Sequence, residues 1–576
     1  MSIDLSLDRL QKLVTHLSPY TRPTLHIAGT NGKGSVSALL ASILLHSDPP
    51  LRVGRFNSPH LVTVHDCITV NNHPVAPNLY EVVREEVEDA DTEHETKLSS
   101  FEILTLVALQ VFEREKVDIV VLEVGMGGRL DATNIVPDNT IAVSALTAVD
   151  LDHQFFLGDT VTKIAAEKAA IGRKGRPFVL GKQRREGVEE VVRTVLKAAG
   201  ALNLALALEP EVSEWDESIH GAKPPPISLA YTNATKSSFS RPPSQPVSVV
   251  MPYFSAPVNA LLPLYGSHQL DNLGTALSVI NELLNSPPPP TLSIDLTSRI
   301  TPQTIARGIR AVRWPGRLSF HTLHVSIPAT SRKAPEDGTP SLPAAMRQTK
   351  HPLVVLADGA HNAASAETLS EYINHMLSLA LESASSAIAS QTVKKSITLD
   401  ITYVLALSHS PPKTPLQTLS PVLPPKLPES LASSPIPITV NTSVALLQFT
   451  PPEGMPWVKS VPPSELEEVV RKLVPNADIY VPPASIPLAS YVVSSPPFSL
   501  SSQPTLPPSA KPMALEDVLK WVALRQDRLT SSTDTLGLGL VVLAGSLYLV
   551  ADFYRLLELD EVEKATRKMS ISWDSR

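Results

Sequence analysis

The chain has 576 residues, 43% of them hydrophobic, and a net charge of −8. The length asks for more than one domain, and the apolar content is enough for real cores. With a pI near 6.1 there is no broad basic field, which disfavours nucleic acid as a partner, although a local pocket for a small anion needs only a few cations.

In chain order, the opening Met-Ser-Ile-Asp-Leu-Ser-Leu-Asp is acidic and resembles neither a secretory signal nor an Arg-rich transit peptide. It points to the cytoplasm, with sorting to mitochondria left open. A strand expected over Thr24–Ala28 runs into Gly29-Thr-Asn-Gly-Lys-Gly-Ser35, and a helix is expected over Ser35–His46. Strand, glycine loop with one lysine, then helix is the layout of a phosphate cradle. Backbone N–H groups and the helix N-terminus point at an anion, and Lys33 adds a mobile positive charge. The spacing differs from G-x4-G-K-[ST], because Gly34 separates Lys33 from Ser35; a plain Gly-rich turn is the alternative. The strand-like Leu51–Phe56 precedes Asn57-Ser-Pro-His-Leu61, where Ser58 is a hydroxyl ligand candidate and Pro59 fixes the turn. The single cysteine, Cys67, allows no intramolecular disulfide and fits a reducing compartment.

A helix over Phe101–Arg114 leads to a strand over Val117–Val124, which delivers Glu123 at its C-terminal end, the edge where ligands bind in open α/β sheets. A carboxylate there suits Mg²⁺, which prefers oxygen ligands, and Gly125, Gly127 and Gly128 let the backbone pass closely; an acid merely ending a strand is the plainer reading. The next strand, Ile141–Ala148, is followed by Leu151–Thr160, which places His153 as a sheet-edge ligand or a structural histidine. The helix Thr160–Ile171 carries Lys168, either a pocket lysine or a salt-bridge partner. Prolines number 54, and with Ser and Thr they mark residues 209–250, 326–350, 410–437 and 482–512 as surface insertions; the Ser- and Ala-rich 378–398 is expected to be a further loop. The 378–398 piece extends a helix on the alternative reading.

A helix over Gln269–Leu284 follows Gly266-Ser-His-Gln-Leu-Asp-Asn272, and the two blocks part near 295–312. The second block offers Trp314-Pro-Gly-Arg317, strands over Leu353–Ala357, Ile401–Ala406 and Leu540–Ala544, and helices over Ala364–Leu381 and Pro463–Leu473. Asp358 ends a buried strand, either as a helix N-cap or as a functional acid, and His361 opens the next helix. For Arg317 the plain reading is an exposed arginine after a turn. The run Leu536–Ala551 is shorter than the ~20 residues needed to cross a bilayer and reads as a buried strand, a turn and a helix start, so no membrane association is expected. Short apolar strands alternating with amphipathic helices specify an α/β chain with parallel sheets covered on both faces, divided into domains 1–305 and 306–576.

Taken together, Gly29–Ser35, Ser58–Leu61, Leu122–Asn134, Asp152–Lys168, His268–Asn272, Trp314–Leu318 and Asp358–Asn362 stand in the order of one family. The chain resembles the folylpolyglutamate synthase and dihydrofolate synthase branch of the Mur-ligase superfamily. Asp66–Pro74, Glu453–Trp457 and Ala544–Leu549 look most like its fungal dihydrofolate synthases. The resemblance implies a P-loop-type Mur-ligase ATP-binding domain followed by a smaller Rossmann-like domain. It implies an ATP- and Mg²⁺-dependent ligase that phosphorylates a carboxylate and joins it to glutamate. Dihydrofolate synthase is the leading activity; folylpolyglutamate synthase and a non-catalytic ATP-binding protein are the alternatives.

By the same resemblance Gly29, Thr30, Asn31, Gly32, Lys33, Gly34 and Ser35 cradle the triphosphate. Asn272, Arg317 and Asp358 contact ATP from the cleft between the blocks, with His361 beside them in a less defined role. Ser58, Glu123 and His153 bind one Mg²⁺, Ser35 lies by another, and Lys168 matches a lysine that the family carbamylates. Lys33, Glu123, His153 and Lys168 form the catalytic set, and Ser99, Ser100, Phe101, Glu102, Leu130 and Asp131 fall where the pterin is held. A monomer with small-molecule partners (dihydropteroate or a folate, L-glutamate and ATP) is expected. Two departures stand out. Some bacterial members carry a segment before Ile3-Asp-Leu that helps enclose the pterin, and Asn57 replaces the more usual Thr before Ser58.

Overall fold

A computed structural model of the chain describes residues 6–233, 236–237, 239–328, 348–389, 396–411, 413–426, 436–452, 458–482, 513–529 and 534–558. Contacts divide the chain into two units, Met1–Pro225 with Pro243–Pro315, and Pro226–Pro242 with Gly316–Arg576.

The first unit runs α1 (Asp8–Val14), β1 (Thr24–Ala28), α2 (Lys33–Leu45), β2 (Val53–Phe56), β3 (Ile68–Val70), β4 (His73–Pro74), α3 (Pro77–Glu93), α4 (Ser100–Arg114), β5 (Ile119–Glu123), β6 (Ile141–Leu146), α5 (Gln154–Leu157), α6 (Val161–Ala169), β7 (Pro177–Leu180), α7 (Val188–Ala199) and β8 (Asn203–Leu206). Three short strands follow, β9 (Glu211–Val212), β10 (Gln245–Val249) and β11 (Val258–Leu262), and then α8 (His268–Asn285) and α9 (Pro302–Ala311). The main sheet has the order β4-β3-β2-β5-β1-β6-β7-β8. From β2 to β8 every pairing is parallel; β3 and β4 add antiparallel strands at one edge. The central strands are apolar on both faces because both faces are covered. Ile119 and Val121 join α2, α8 and α9 in one core, while Val120 and Leu122 join α3 and α4 in another. The parallel order brings the C-terminal ends of β2, β5, β1 and β6 side by side.

In the second unit β12 (Ser319–Pro328), β13 (Gln348–Ala357), α10 (Ala363–Ala389), β14 (Ser396–Leu405), β15 (Ile438–Leu446), α11 (Pro463–Leu473), β16 (Asp478–Tyr480), α12 (Met513–Leu529) and β17 (Thr535–Ala544) build a sheet of order β12-β13-β17-β14-β15-β16. It is parallel except for the β12–β13 pair. Residues 226–242 reach this unit too: the Gly539 N–H donates to Leu229 O at 3.1 Å. The run Leu536–Ala551 forms the expected strand, a turn at Gly545 and a helix over 547–558. Among the described residues no helix is long and apolar enough to cross a membrane.

Several expectations are redrawn. The sheets are mixed at their edges rather than wholly parallel. The 209–250 stretch is not all loop: β10 sits between β9 and β11, and its alternating Val247 and Val249 are buried in the α2 core. Within 410–437 a short helix, Pro415–Leu419, is followed by Val422 and Leu423, and Leu419, Val422 and Leu423 are all buried. Prolines there punctuate a packed segment. Of 378–398, residues up to Ala389 continue α10, which settles the open alternative in favour of helix. Residues 329–347, 483–512 and Glu453–Trp457 lie outside the described residues.

Candidate active site

β1 is buried along its whole length and ends at Gly29. Gly29 has φ +152°, and a Cβ there would overlap Thr147 Oγ1, so only glycine lets the loop lie against the β6 exit. That exit holds the loop. The Thr30 and Asn31 N–H groups donate to Ala148 O at 2.9 and 3.2 Å, Thr147 Oγ1 donates to Asn31 O at 2.7 Å, and Thr30 Oγ1 donates to Asp150 O at 3.1 Å. Gly32, with φ +91°, starts α2, which places Lys33 inside the first turn rather than ahead of it. A Cβ at Gly32 would strike Asn272 Oδ1, and one at Gly34 would strike the Trp314 ring. Ser35 is 5% exposed and accepts from Gln269 Nε2 at 3.3 Å; Asn272 Nδ2 donates to Gln269 Oε1 at 3.0 Å. The expected ATP residues Gly29 to Ser35 and Asn272 therefore share one neighbourhood, with the N-terminus of α8 set against that of α2.

Charge collects there. Lys33 Nζ donates to Gly29 O at 3.2 Å and Thr30 O at 3.4 Å and stands 4.0 Å from Glu123 Oε1. Glu123 is buried at the end of β5, and its Oε2 accepts from Asn57 Nδ2. Ser58 leaves the end of β2, the strand beside β5, with Phe56 paired to Leu122. Lys168 is 3% exposed and donates to Gly29 O at 2.9 Å. Burial, with the charge of Lys33 beside it, pushes its pKa down to about 7, against the pull of Asp152 and Asp131. Arg55 is also buried; desolvation lowers its pKa to about 10 while Glu123 pulls it back up, and it stays a cation. Lys33 and Arg55 thus share the Glu123 carboxylate, while Lys168 lies near Asp152 and Asp131.

His153 is exposed, in left-handed backbone at φ +51°, with its N–H on Asp152 Oδ1 at 2.9 Å. Among the described residues no three His, Cys, Asp or Glu side chains gather as a metal cluster. The expected set contains only two of that kind, Glu123 and His153. Its remaining donors, the Ser35 and Ser58 hydroxyls, are hard oxygens that fit Mg²⁺ together with the Glu123 carboxylate.

The expected substrate residues divide. Ser99 and Glu102 form a capping box at the start of α4, with Ser99 N–H on Glu102 Oε2 at 2.7 Å, and Arg9 pairs with Glu102 at 3.1 Å. Ser100 and Leu130 are exposed. The Phe101 ring lies against Gly125. Asp131 is buried and organises the loop after β5, accepting from the N–H groups of Met126 at 2.7 Å and Thr133 at 3.0 Å; burial raises its pKa. Gly128 packs on the backbone of Glu167 and Lys168, where a Cβ would come within 2.8 Å of both carbonyl oxygens. This glycine seats the loop directly on the helix that carries the buried lysine.

In the second unit the Asp358 carboxylate is neither exposed nor an N-cap. Its Oδ2 accepts from the Leu318 N–H at 2.8 Å and its Oδ1 from the Ala360 N–H at 2.9 Å. Burial raises its pKa, and Arg317 opposes the rise. Arg317 lies against Gly359 and donates to Gly316 O at 3.0 Å. Asn362 takes the capping role, accepting from the Ser365 N–H at 2.9 Å, and His361 is exposed with Nδ1 2.8 Å from Gly359 O.

Sequence reasoning passed over Thr147, Gln183, Arg55 and Gln269. Gln183 braces the β6 exit, accepting from the Val149 N–H at 3.0 Å and donating to Thr147 O at 3.1 Å. Arg55 alone left a signal, a charge inside an apolar strand.

No family model matches the chain. Among known proteins it is similar to the dihydrofolate synthetase of Saccharomyces cerevisiae, with 30% identity over 478 residues that span 82% of this chain and 87% of that protein. The probable dihydrofolate synthetase of Schizosaccharomyces pombe is 26% identical over 97% of this chain and its own full length. The dihydrofolate synthase/folylpolyglutamate synthase of Escherichia coli is 35% identical over 38% of this chain and 49% of its own. Among solved structures the fold is similar to Mycobacterium tuberculosis folylpolyglutamate synthase complexed with ADP and AMPPCP, at TM-score 0.60 and 21% identity over 96% of this chain and 95% of that one. It is also similar to E. coli FolC in complex with DHPP and ADP, at TM-score 0.57 and 21% identity over 97% and 95%.

Proposed function

The chain belongs to the dihydrofolate synthase and folylpolyglutamate synthase family, and on that premise we propose that it joins L-glutamate to 7,8-dihydropteroate with cleavage of ATP to ADP and phosphate. The observation that carries this reading is the charge pattern at the sheet edge: Lys33 and Arg55 beside Glu123, and Lys168 on the Gly29 carbonyl, next to a loop whose glycines leave room for phosphate oxygens.

The substrate carboxylate attacks the γ-phosphorus, and the bond to the bridging oxygen breaks, leaving its electron pair on ADP. The glutamate amine then attacks the acyl carbon of the resulting acyl phosphate, inorganic phosphate leaves, and the amine proton is lost. Such a transfer needs little from the protein beyond position and charge. The α2 N-terminus and its loop N–H groups bind the phosphates. Lys33 leaves the Gly29 and Thr30 carbonyls, its internal partners, for the outer phosphate oxygens. Glu123, Ser58 and Ser35 would hold Mg²⁺, with His153 turning in from its exposed position, and the ion would supply countercharge to the phosphates when bound.

Lys168, with a pKa near 7, is largely uncharged at mildly alkaline pH, and its amine can then add to CO2. The carbamate so formed would replace a cation by an anion beside the metal donors. Asn272 serves the nucleotide in the first unit. The family resemblance extends a nucleotide-binding role to Arg317, Asp358 and His361. Phe101, Leu130 and Asp131 line the pterin side, whereas Ser99 and Glu102 shape the start of α4. The same reading takes the enzyme as a cytoplasmic monomer acting on small molecules.

Folylpolyglutamate synthase is the second reading, favoured by the dual name of the E. coli relative. One assay separates the two. Purified enzyme receives dihydropteroate or tetrahydrofolate, each with glutamate and ATP, and ADP release and product mass are read. Dihydropteroate should be consumed; turnover with tetrahydrofolate alone would reverse the order.

A further inference from the structure

Arg55 is a cation placed where a fold would not spend one without use. It stands in the middle of β2 between Gly54 and Phe56, 9% exposed. Its register partner on β5 is Val121, and two residues on along the same face of β5 is Glu123. Nε donates to Thr69 Oγ1 at a long 3.4 Å. The guanidinium carbon lies 5.1 Å from the centroid of the Trp314 ring, which also lies against Gly34 in the first turn of α2. Among the described residues no carboxylate comes within 4.0 Å of Arg55, and its two Nη nitrogens have no protein acceptor. Glu123, the acid that attracts it, is already engaged by Asn57 and faces Lys33. A buried charge is costly unless it is paired and hydrogen-bonded. A ring beneath the cation and one weak hydroxyl bond do not make that pairing, so the flat fork of Nη donors is left for an oxyanion brought from outside.

The sheet order says which one. The phosphate loop leaves β1, Glu123 ends β5, and Arg55 lies on β2, so the three stand in the sequence β2-β5-β1. In strand order Arg55 and the phosphate loop flank Glu123, and the Trp314 ring under the guanidinium also lies against Gly34 of that loop, so an anion at Arg55 stands beside the phosphate site. A guanidinium fork matches the two oxygens of a carboxylate. We propose that Arg55 anchors the carboxylate of the acid substrate on the β2 flank of Glu123, beside the γ-phosphate that it attacks. The inference rests on the ligase reading above, and it adds a binding residue on the acid side of the reaction.

Steady-state kinetics on the purified full chain test it, with dihydropteroate and ATP varied in turn at saturating glutamate. In R55M the KM for dihydropteroate should rise about tenfold or more, with the KM for ATP within about threefold of wild type; R55K, which keeps the charge and loses the fork, should fall between. ADP binding followed by calorimetry shows that the nucleotide site of R55M is folded, and if R55M fails there, R55K is read by the same criterion. A dihydropteroate KM unchanged within about threefold, or a rise shared equally by ATP, overturns the proposal. Wild-type enzyme idle with dihydropteroate sinks the dihydropteroate reading and this inference together, whereas an active wild type with an unchanged variant sinks the inference alone.

Discussion

The two units carry the same device, a buried parallel strand that ends in an acid and a glycine, and they use it in opposite ways. At the end of β13, Asp358 is answered on the spot: its oxygens take the Leu318 and Ala360 N–H groups, and Arg317 stands beside it. At the end of β5, Glu123 is outnumbered by Lys33, Arg55 and the more distant Lys168. A self-satisfied knot stiffens a loop. An edge with surplus positive charge is unfinished until an anion arrives, which is why the first unit is the place to look for phosphate chemistry.

The largest effect should come from removing the most mobile cation of the unfinished edge. Lys33→Ala should cut kcat by about 10³-fold while the melting curve stays that of wild type; near-normal turnover would dissolve the contrast between the two strand ends. Glu123→Gln removes the carboxylate that Lys33 and Arg55 share. Its activity should fall about 10²-fold, with a markedly higher Mg²⁺ requirement in a metal titration, and an unaltered titration would take Glu123 out of the metal set. Asp358→Asn probes the self-satisfied end. One oxygen acceptor becomes a donor facing an N–H group, so unfolding of the second unit should become easier by about 1–2 kcal/mol in urea, with turnover at saturating ATP changed only a few-fold.

The last effect, on stability alone and confined to acid pH, concerns β1 from beneath. His26 is fully buried, its Nε2 2.9 Å from Thr133 Oγ1, and burial, aided by Arg173, pushes its pKa down to about 3. Folded pKa below the unfolded value of about 6.5 means that the unfolded chain binds the extra proton first. Stability is therefore full above about pH 6.5 and declines as pH falls toward 3, by about 2 kcal/mol at pH 5. Urea midpoints at pH 7 and 5, compared with those of His26→Gln, check this; equal pH slopes would remove His26 from the account.

Much of the fold was legible because central parallel strands are continuous apolar runs. β1 matches its expected limits residue for residue, and α11 does the same. The extensions of β13, β14 and β17 were hidden by Lys350, His351, Asp400, Gly537 and Gly539, which interrupt an apolar reading although the backbone pairing continues. β10 was hidden by Pro246, a residue that argues against a strand yet pairs with Leu261 here. At the site, Gly29 to Ser35 and Glu123 announced themselves because their chemistry is local. Thr147 and Gln183 did not, since a threonine or glutamine acquires its role only when a distant segment folds against it. The spacing Ser99-x-x-Glu102 is a capping box by sequence and by structure, a local role legible in the sequence beside the pterin reading.

Gly128 has a reach beyond its own turn. With the backbone of the loop after β5 seated on the carbonyls of Glu167 and Lys168, whatever displaces one strains the other. A side chain at 128 would have to lift that loop, with Leu130 and Asp131, off the helix that bears Lys168.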